Sequence, residues 1–185
     1  MGQEAQKRPS PLRMPRARKT PLPSSGVWNP LLPNIIRDVR KHDSECVVAR
    51  TDASVDGDCA GIGVAFYPMH RSNPFLTDSQ SVQCPSERPS STLLELLAVY
   101  HALVLAHDLG FSCIHLITDS RSIERMLVGL SKGRRRDIRE VLRLLHGPAL
   151  TFQTISVQWV PRAHNYVADK LARTARKEHR CSNIA

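Results

Sequence analysis

The sequence predicts an α/β domain on a five-stranded mixed sheet, with elements in the order βββ-α-β-α-α-β-α. Three observations point there. Residues 46–83 alternate strand-like apolar runs with turn residues. Residues 91–108 switch to apolar spacing at three and four, the period of a helix with one buried face. Two short apolar runs, near 114–118 and 151–160, are each followed by helical spacing, which suits strands crossing over through helices.

Cys46 to Asp52 is valine-rich and reads as the first strand. Asp56-Gly57-Asp58 is a turn signal. Ala60 to Tyr67 reads as the second strand, where Gly61 and Gly63 imply a close approach or a bulge. Residues 71–75 form a loop, and 76–83 read as a weaker third strand; the three fit an antiparallel meander. Leu93, Leu96, Leu97, Tyr100, Leu103, Val104 and His107 line a helix over 91–108. Ser90 or Ser91 can cap it and Gly110 ends it. Ile114 to Thr118 is a short buried strand, expected parallel to the first. A helix is expected over about 120–130, with Ile123, Met126, Leu127 and Leu130 on one face, broken at Gly133. The next runs from Arg134 to His146, with Ile138, Val141, Leu142 and Leu145 inward, and Gly147-Pro148 stops it. Residues 151–160 alternate toward Trp159 as the fifth strand, and Asn165 to about Lys177 is the last helix.

At 185 residues the chain suits one ordinary domain with extensions. The expected division is a basic, proline-rich extension and lead-in over 1–44, a domain over 45–178, and a tail over 179–185. The extension carries Lys7, Arg8, Arg13, Arg16, Arg18 and Lys19 among prolines, a composition that buries too little apolar surface to fold. A nucleic-acid arm, a transit peptide and a solvated linker all fit it. Trp28 to Ile36 is an apolar, proline-broken lead-in. A formal charge of +9 points to a polyanionic partner, most simply nucleic acid. The five cysteines, Cys46, Cys59, Cys84, Cys113 and Cys181, are odd in number and widely spaced. That disfavours a zinc site or a disulfide framework and favours reduced thiols in a reducing compartment. No apolar run approaches membrane-spanning length. A cytoplasmic setting is expected, with the nucleus or mitochondrion as alternatives if the arm is an address.

Four acids stand where carboxylates are costly. Asp52 and Asp119 each end an apolar run, Glu95 sits among leucines, and Asp169 lies in Val167-Ala168-Asp169-Lys170-Leu171-Ala172. Desolvated carboxylates need a positive partner. A pair of magnesium ions supplies one, and two-metal sites cleave phosphodiesters. Blander readings differ by residue. Asp119 before Ser120 can be a helix N-cap, and Asp169 can be a solvated helix residue beside Lys170. Glu95 has no comparable bland explanation.

This order of elements, with acids at these places, resembles the type 1 ribonuclease H family, including its retroelement-associated and plant-type members. The resemblance covers roughly residues 45–178. Its motifs are Thr51-Asp52-Ala53-Ser54, Leu94-Glu95-Leu96, Ile117-Thr118-Asp119-Ser120, and the run from Val160-Pro161-Arg162-Ala163-His164-Asn165 to Asp169-Lys170-Leu171-Ala172. It implies a ribonuclease H-like fold with Asp52, Glu95, Asp119 and Asp169 as ligands of two magnesium ions, with manganese as a substitute. It implies endonucleolytic cleavage of the RNA strand of RNA–DNA hybrids, leaving 5′-phosphates. His164 is implied to assist proton transfer or product departure, in a loop shorter than in bacterial members. Bacterial members carry asparagines before the helix glutamate; here Ser90, Ser91 and Thr92 stand there, with hydroxyls able to bond a ribose 2′-OH or phosphate. Lys132, Arg134, Arg135 and Arg136 replace a larger basic handle as the expected phosphate contacts. Like charges at a helix start oppose its dipole, which favours a functional reason for them. The expected protein is a monomer without a small-molecule cofactor or membrane partner. Alternatives are a silent nucleic-acid-binding module, or another nuclease or transposase of the same fold. Exonucleases carry a second acid two residues after the first, where this chain has Ser54.

Overall fold

Valine and alanine recur at alternate positions along Cys46–Asp56 (β1), and this strand becomes the middle of the sheet. In the computed structural model of the chain, the described residues are 46–82 and 90–182, with side chains described up to Glu178. The expected extension, its lead-in and Cys84 lie outside them.

Cys59–Pro68 (β2) folds back on β1 across the Gly57 turn, where φ of +60° suits glycine. Leu76–Val82 (β3) completes an antiparallel meander. Ser91–Asp108 (α1) then crosses to Cys113–Thr118 (β4), which runs parallel to β1. Thr154–Trp159 (β5) is parallel to β4, so the strand order is β3-β2-β1-β4-β5. The mixed five-stranded α/β architecture expected from the sequence is therefore present.

The main core lies on the α1 face. Val47 and Ala49 of β1, Val64 and Phe66 of β2, and Ile114 and Leu116 of β4 meet Leu96, Val99 and Leu103 of α1. Strand period two places every second residue there. The Ser90 hydroxyl caps α1 by accepting from the Leu93 amide at 3.2 Å. The last helix, Tyr166–Ser182 (α5), covers β1, β2 and β3 on the opposite face. There Gly61 and Gly63 are required. A Cβ at Gly63 would stand 2.5 Å from the Ala168 carbonyl oxygen, and one at Gly61 2.4 Å from that of Ala172. The β1–β2 register runs unbroken past both, so the glycines serve close approach rather than a bulge.

Several boundaries differ from the sequence reading. Arg121–Leu127 (α2) stops early, because Gly129 takes a φ of +78° that ends the helix. Leu130 consequently points outward and is 73% exposed, not inward as expected. Arg136–Leu144 (α3) starts two residues later than expected. Gly147-Pro148 does not simply stop it: His146–Ala149 (α4) is a further short helix, since proline in a first turn forfeits no hydrogen bond. A 3-10 turn, Arg162–His164, precedes α5. Helix α5 continues past Lys177 into the expected tail.

One expectation is overturned. Cys46 and Cys113, register partners at the starts of β1 and β4, form a disulfide. The two cysteines are 67 residues apart, and only the parallel register brings them together. Two of the thiols on which a reducing compartment was argued are thus paired. Cys59 is free. No helix of the described residues is long and apolar enough to cross a membrane.

Candidate active site

Central strand β1 delivers Asp52 to a buried position, only 2% exposed. The Ala53 amide donates to its Oδ1 at 2.8 Å. Helix α1 packs on β1 and β2 and brings Glu95, one turn beyond its cap, to the same place. Asp119 follows directly on β4. It is not the cap of α2; that position is Ser120, whose amide donates to Thr118 Oγ1 at 3.1 Å. Asp52, Glu95 and Asp119 each offer a carboxylate oxygen within 4.8 Å of the others.

This grouping is electrostatically unfavourable by itself. Burial, then Asp119, pushes the Asp52 carboxyl up to about 7. Burial, then Asp52 and Asp119, pushes Glu95 up to about 9. Asp52 Oδ2 and Glu95 Oε2 are buried without a hydrogen-bond partner. Buried polar atoms are normally satisfied. An all-oxygen donor set with orphaned buried oxygens fits a hard divalent cation such as magnesium, so these three residues are suited to hold one.

Asp169 was expected to join them as an equal. It lies near enough to raise Asp52 further, but it is outside the three-residue group. Its carboxylate is engaged by Arg162 through one oxygen and by Arg173 at 3.1 Å through the other. The Arg173 contact is an i,i+4 pair readable from helix spacing. Arg162 reaches back from the 3-10 turn, which spacing alone does not indicate.

His164 is exposed in that turn. Its backbone carbonyl accepts from Arg50, and it lines a recess on the sheet face with Arg50 and Tyr67. Ser91 is exposed and Thr92 half-buried at the start of α1. They precede Glu95 by four and three residues, which puts them on its side of the helix. Lys132, Arg134, Arg135 and Arg136 are exposed ahead of and at the start of α3, a helix that packs on α1. Arg135 is engaged locally, with its NH2 group 2.6 Å from Asp137.

Two supporting residues escaped the sequence reading. Asn165 is fully buried, and its Nδ2 donates to the Thr51 carbonyl at 2.9 Å. This ties the start of α5 to the residue before Asp52. The Trp159 indole donates to the Asp119 carbonyl at 2.9 Å, and its backbone amide donates to Glu124 at 3.1 Å. Arg121 covers its ring, 4.1 Å from the centroid. Asn165 reads locally as a cap and Trp159 as a strand end, so neither carries a signal of its distant partner.

Comparison with known proteins accords with this geometry. A family model described as reverse transcriptase-like matches residues 71–175. No curated protein matches the chain in sequence. Among solved structures, the RNase H1 of the halophilic archaeon Halobacterium salinarum is 27% identical. That alignment covers 72% of this chain and 98% of that one, with a TM-score of 0.66. The N-terminal RNase H domain of a Mycobacterium tuberculosis protein, solved as a maltose binding protein fusion, is 25% identical. There the coverage is 76% and 99%, with a TM-score of 0.68. LC11-RNase H1 in complex with an RNA/DNA hybrid shares the fold at 20% identity and a TM-score of 0.64, over 72% of this chain and 98% of that one. With more than half its length matched by the family model and its sheet, crossovers and helices shared with type 1 enzymes, this chain belongs to the reverse transcriptase-like, ribonuclease H family.

Proposed function

We propose that the protein is an endonuclease hydrolysing the RNA strand of RNA–DNA hybrids, dependent on two divalent cations, with magnesium as the natural ion. The observation that carries this is the Asp52–Glu95–Asp119 group, with Asp52 buried, the other two half-buried, and two buried carboxylate oxygens orphaned. The hybrid bound to the LC11 enzyme supports the substrate class. Bound cations supply hydroxide generation and stabilisation of the leaving oxygen.

The chain's own residues do the rest. Asp52, Glu95 and Asp119 hold a cluster of carboxyl oxygens in place, whose ionised form bound cations would favour, and Asp52 is aimed by the Ala53 amide. Asp169 would complete the set as the fourth carboxylate, so its hold on Arg162 and Arg173 competes with cation binding. Binding of a phosphodiester gives both arginines an alternative anion, which would release Asp169 toward the acids. Ser91 and Thr92, on the Glu95 side of α1, would bond a ribose hydroxyl or phosphate.

The test is cleavage of an end-labelled RNA–DNA hybrid with magnesium or manganese present, against single-stranded RNA and duplex DNA. The expected result is RNA-strand cuts bearing 5′-phosphates on the hybrid alone, abolished by chelation and by Asp52→Asn. A correctly folded protein that binds the hybrid but cuts nothing with either ion would instead be a binding module of this fold.

A further inference from the structure

Helix α5 packs on β1, β2 and β3. It leaves much of the same face of β4 and β5 uncovered among the described residues. A recess of about 360 Å³ opens there, within the usual size of small-ligand sites. Arg50, Tyr67, Arg71, His115, His164 and Tyr166 are in its wall, and no carboxylate among the described residues lines it. Exposed carboxylates elsewhere on the domain, such as Glu140 and Asp108, show that this absence is local.

The recess is organised rather than a loose surface. The Arg50 guanidinium lies 5.3 Å from the Tyr67 ring centroid, and it also donates to the His164 carbonyl. His115 is held by Ser156 at one ring nitrogen and by Gln158, 3.0 Å away, at the other. Tyr67 is buried, while Tyr166, also in the wall, is 69% exposed. Arg71 is exposed at the rim. Cations beside an exposed aromatic ring are the features with which proteins hold unpaired nucleotides, by phosphate attraction and base stacking.

Its position relates it to the acids. Arg50 precedes Asp52 by two residues on β1, and Ile117 of β4, also in the wall, precedes by two residues Asp119, which follows that strand. Residues two apart on a strand share a face at a spacing of roughly 7 Å. A polynucleotide with a phosphodiester at the acids therefore reaches the recess with nearby nucleotides. A base inside a duplex has both faces stacked, so only an unpaired one can stack on Tyr166.

We propose that this recess holds an unpaired nucleotide of the strand cut at Asp52, Glu95 and Asp119, with Arg50 and Arg71 on its phosphate and Tyr166 stacked on its base. The hybrid nuclease reading above identifies that strand as RNA, and the proposal rests on it. The protein would accordingly favour hybrids whose RNA strand continues beyond the duplex as a single strand.

The test uses the full chain and a fluorescent oligouridylate, with binding read by anisotropy in chelator so that no cleavage intervenes. Tyr166→Ala should weaken binding about tenfold, the effect of losing one stacked base, while Tyr166→Phe should retain it. Arg71→Ala should weaken binding and lower the salt slope by about 0.7, the share of one phosphate on a single strand. Both side chains are exposed, so neither change removes core packing. On fully paired hybrid the variants should cleave like the unmodified protein; on hybrid with a single-stranded RNA extension they should lose its advantage. Oligouridylate binding unaffected by Tyr166→Ala and Arg71→Ala would overturn the proposal, even if hybrid is cut. So would uridine monophosphate binding as tightly as the oligomer, which would mark a free-nucleotide site. Tyr166-dependent oligouridylate binding in a protein that cuts no hybrid would uphold the recess while removing the nuclease reading.

Discussion

Asp52→Asn should stabilise the metal-free protein, increasingly so as the pH rises. Asp52, Glu95 and Asp119 have carboxylate oxygens within 4.8 Å of one another. At an effective dielectric of about 20, two unit charges at that separation repel by about 3.5 kcal/mol. The folded protein limits this cost by retaining protons: Asp52 is raised from 3.8 to about 7 and Glu95 from 4.5 to about 9, each first by burial. Both folded values lie above the unfolded ones. Their contribution to stability is therefore fully present below about pH 4 and is lost as the pH rises through about 7 and 9. Asparagine keeps the shape and can still accept from the Ala53 amide, but it carries no charge. Its advantage should be small near about pH 4 and reach about 2–3 kcal/mol near about pH 9, roughly 5–10 °C in Tm for a domain of this size. Calorimetry in chelator across that range measures it directly. A cation occupying the acids should reverse the order, because at a concentration one-hundred-fold above Kd it adds about 2.7 kcal/mol to whichever form binds it. A Tm difference that is flat with pH, or an asparagine form less stable at the alkaline end, would refute the crowding of charge inferred at this site.

Three further outcomes follow from single contacts. Gly63→Ala should destabilise the fold by about 1–3 kcal/mol, because the added Cβ meets the Ala168 carbonyl oxygen at 2.5 Å and that backbone cannot yield cheaply; urea denaturation measures it. Asn165→Ala should cost about 1–3 kcal/mol by removing the buried donor to the Thr51 carbonyl, and hydrogen exchange should show faster opening where α5 begins. Replacing Arg134, Arg135 and Arg136 together by alanine should weaken hybrid affinity similarly across sequences and flatten its salt dependence by about one unit per lost phosphate contact. Unchanged affinity and slope in a salt titration would make that cluster a solvated helix start, as the Arg135–Asp137 pair already makes plausible for one of the three.

Much of this molecule is written locally. Alternation along 46–52 and 60–67, and the three-and-four spacing of 91–108, specify strand or helix because each period buries one face. The acids were legible for a related reason: Glu95 among leucines and Asp52 at the end of a buried strand are too costly to be incidental. Gly61 and Gly63 announced a close approach, though not that α5 is what approaches. What local pattern does not encode is the distance between elements. Cys46 meets Cys113 only because β1 and β4 pair in parallel with that register. Asp169 looked equivalent to the other three acids until the path of the chain before α5 put Arg162 against it. Trp159 and Asn165 bond carbonyls beside Asp119 and Asp52 across long stretches of sequence. The recess at Arg50, Arg71 and Tyr166 exists because α5 lies over one half of a sheet face and not the other. Burial period is a property of neighbouring residues, so the sequence by itself determined the elements and their chemistry. Register and helix placement are settled by the packing of distant surfaces, so only the tertiary structure decided which of those chemical groups meet.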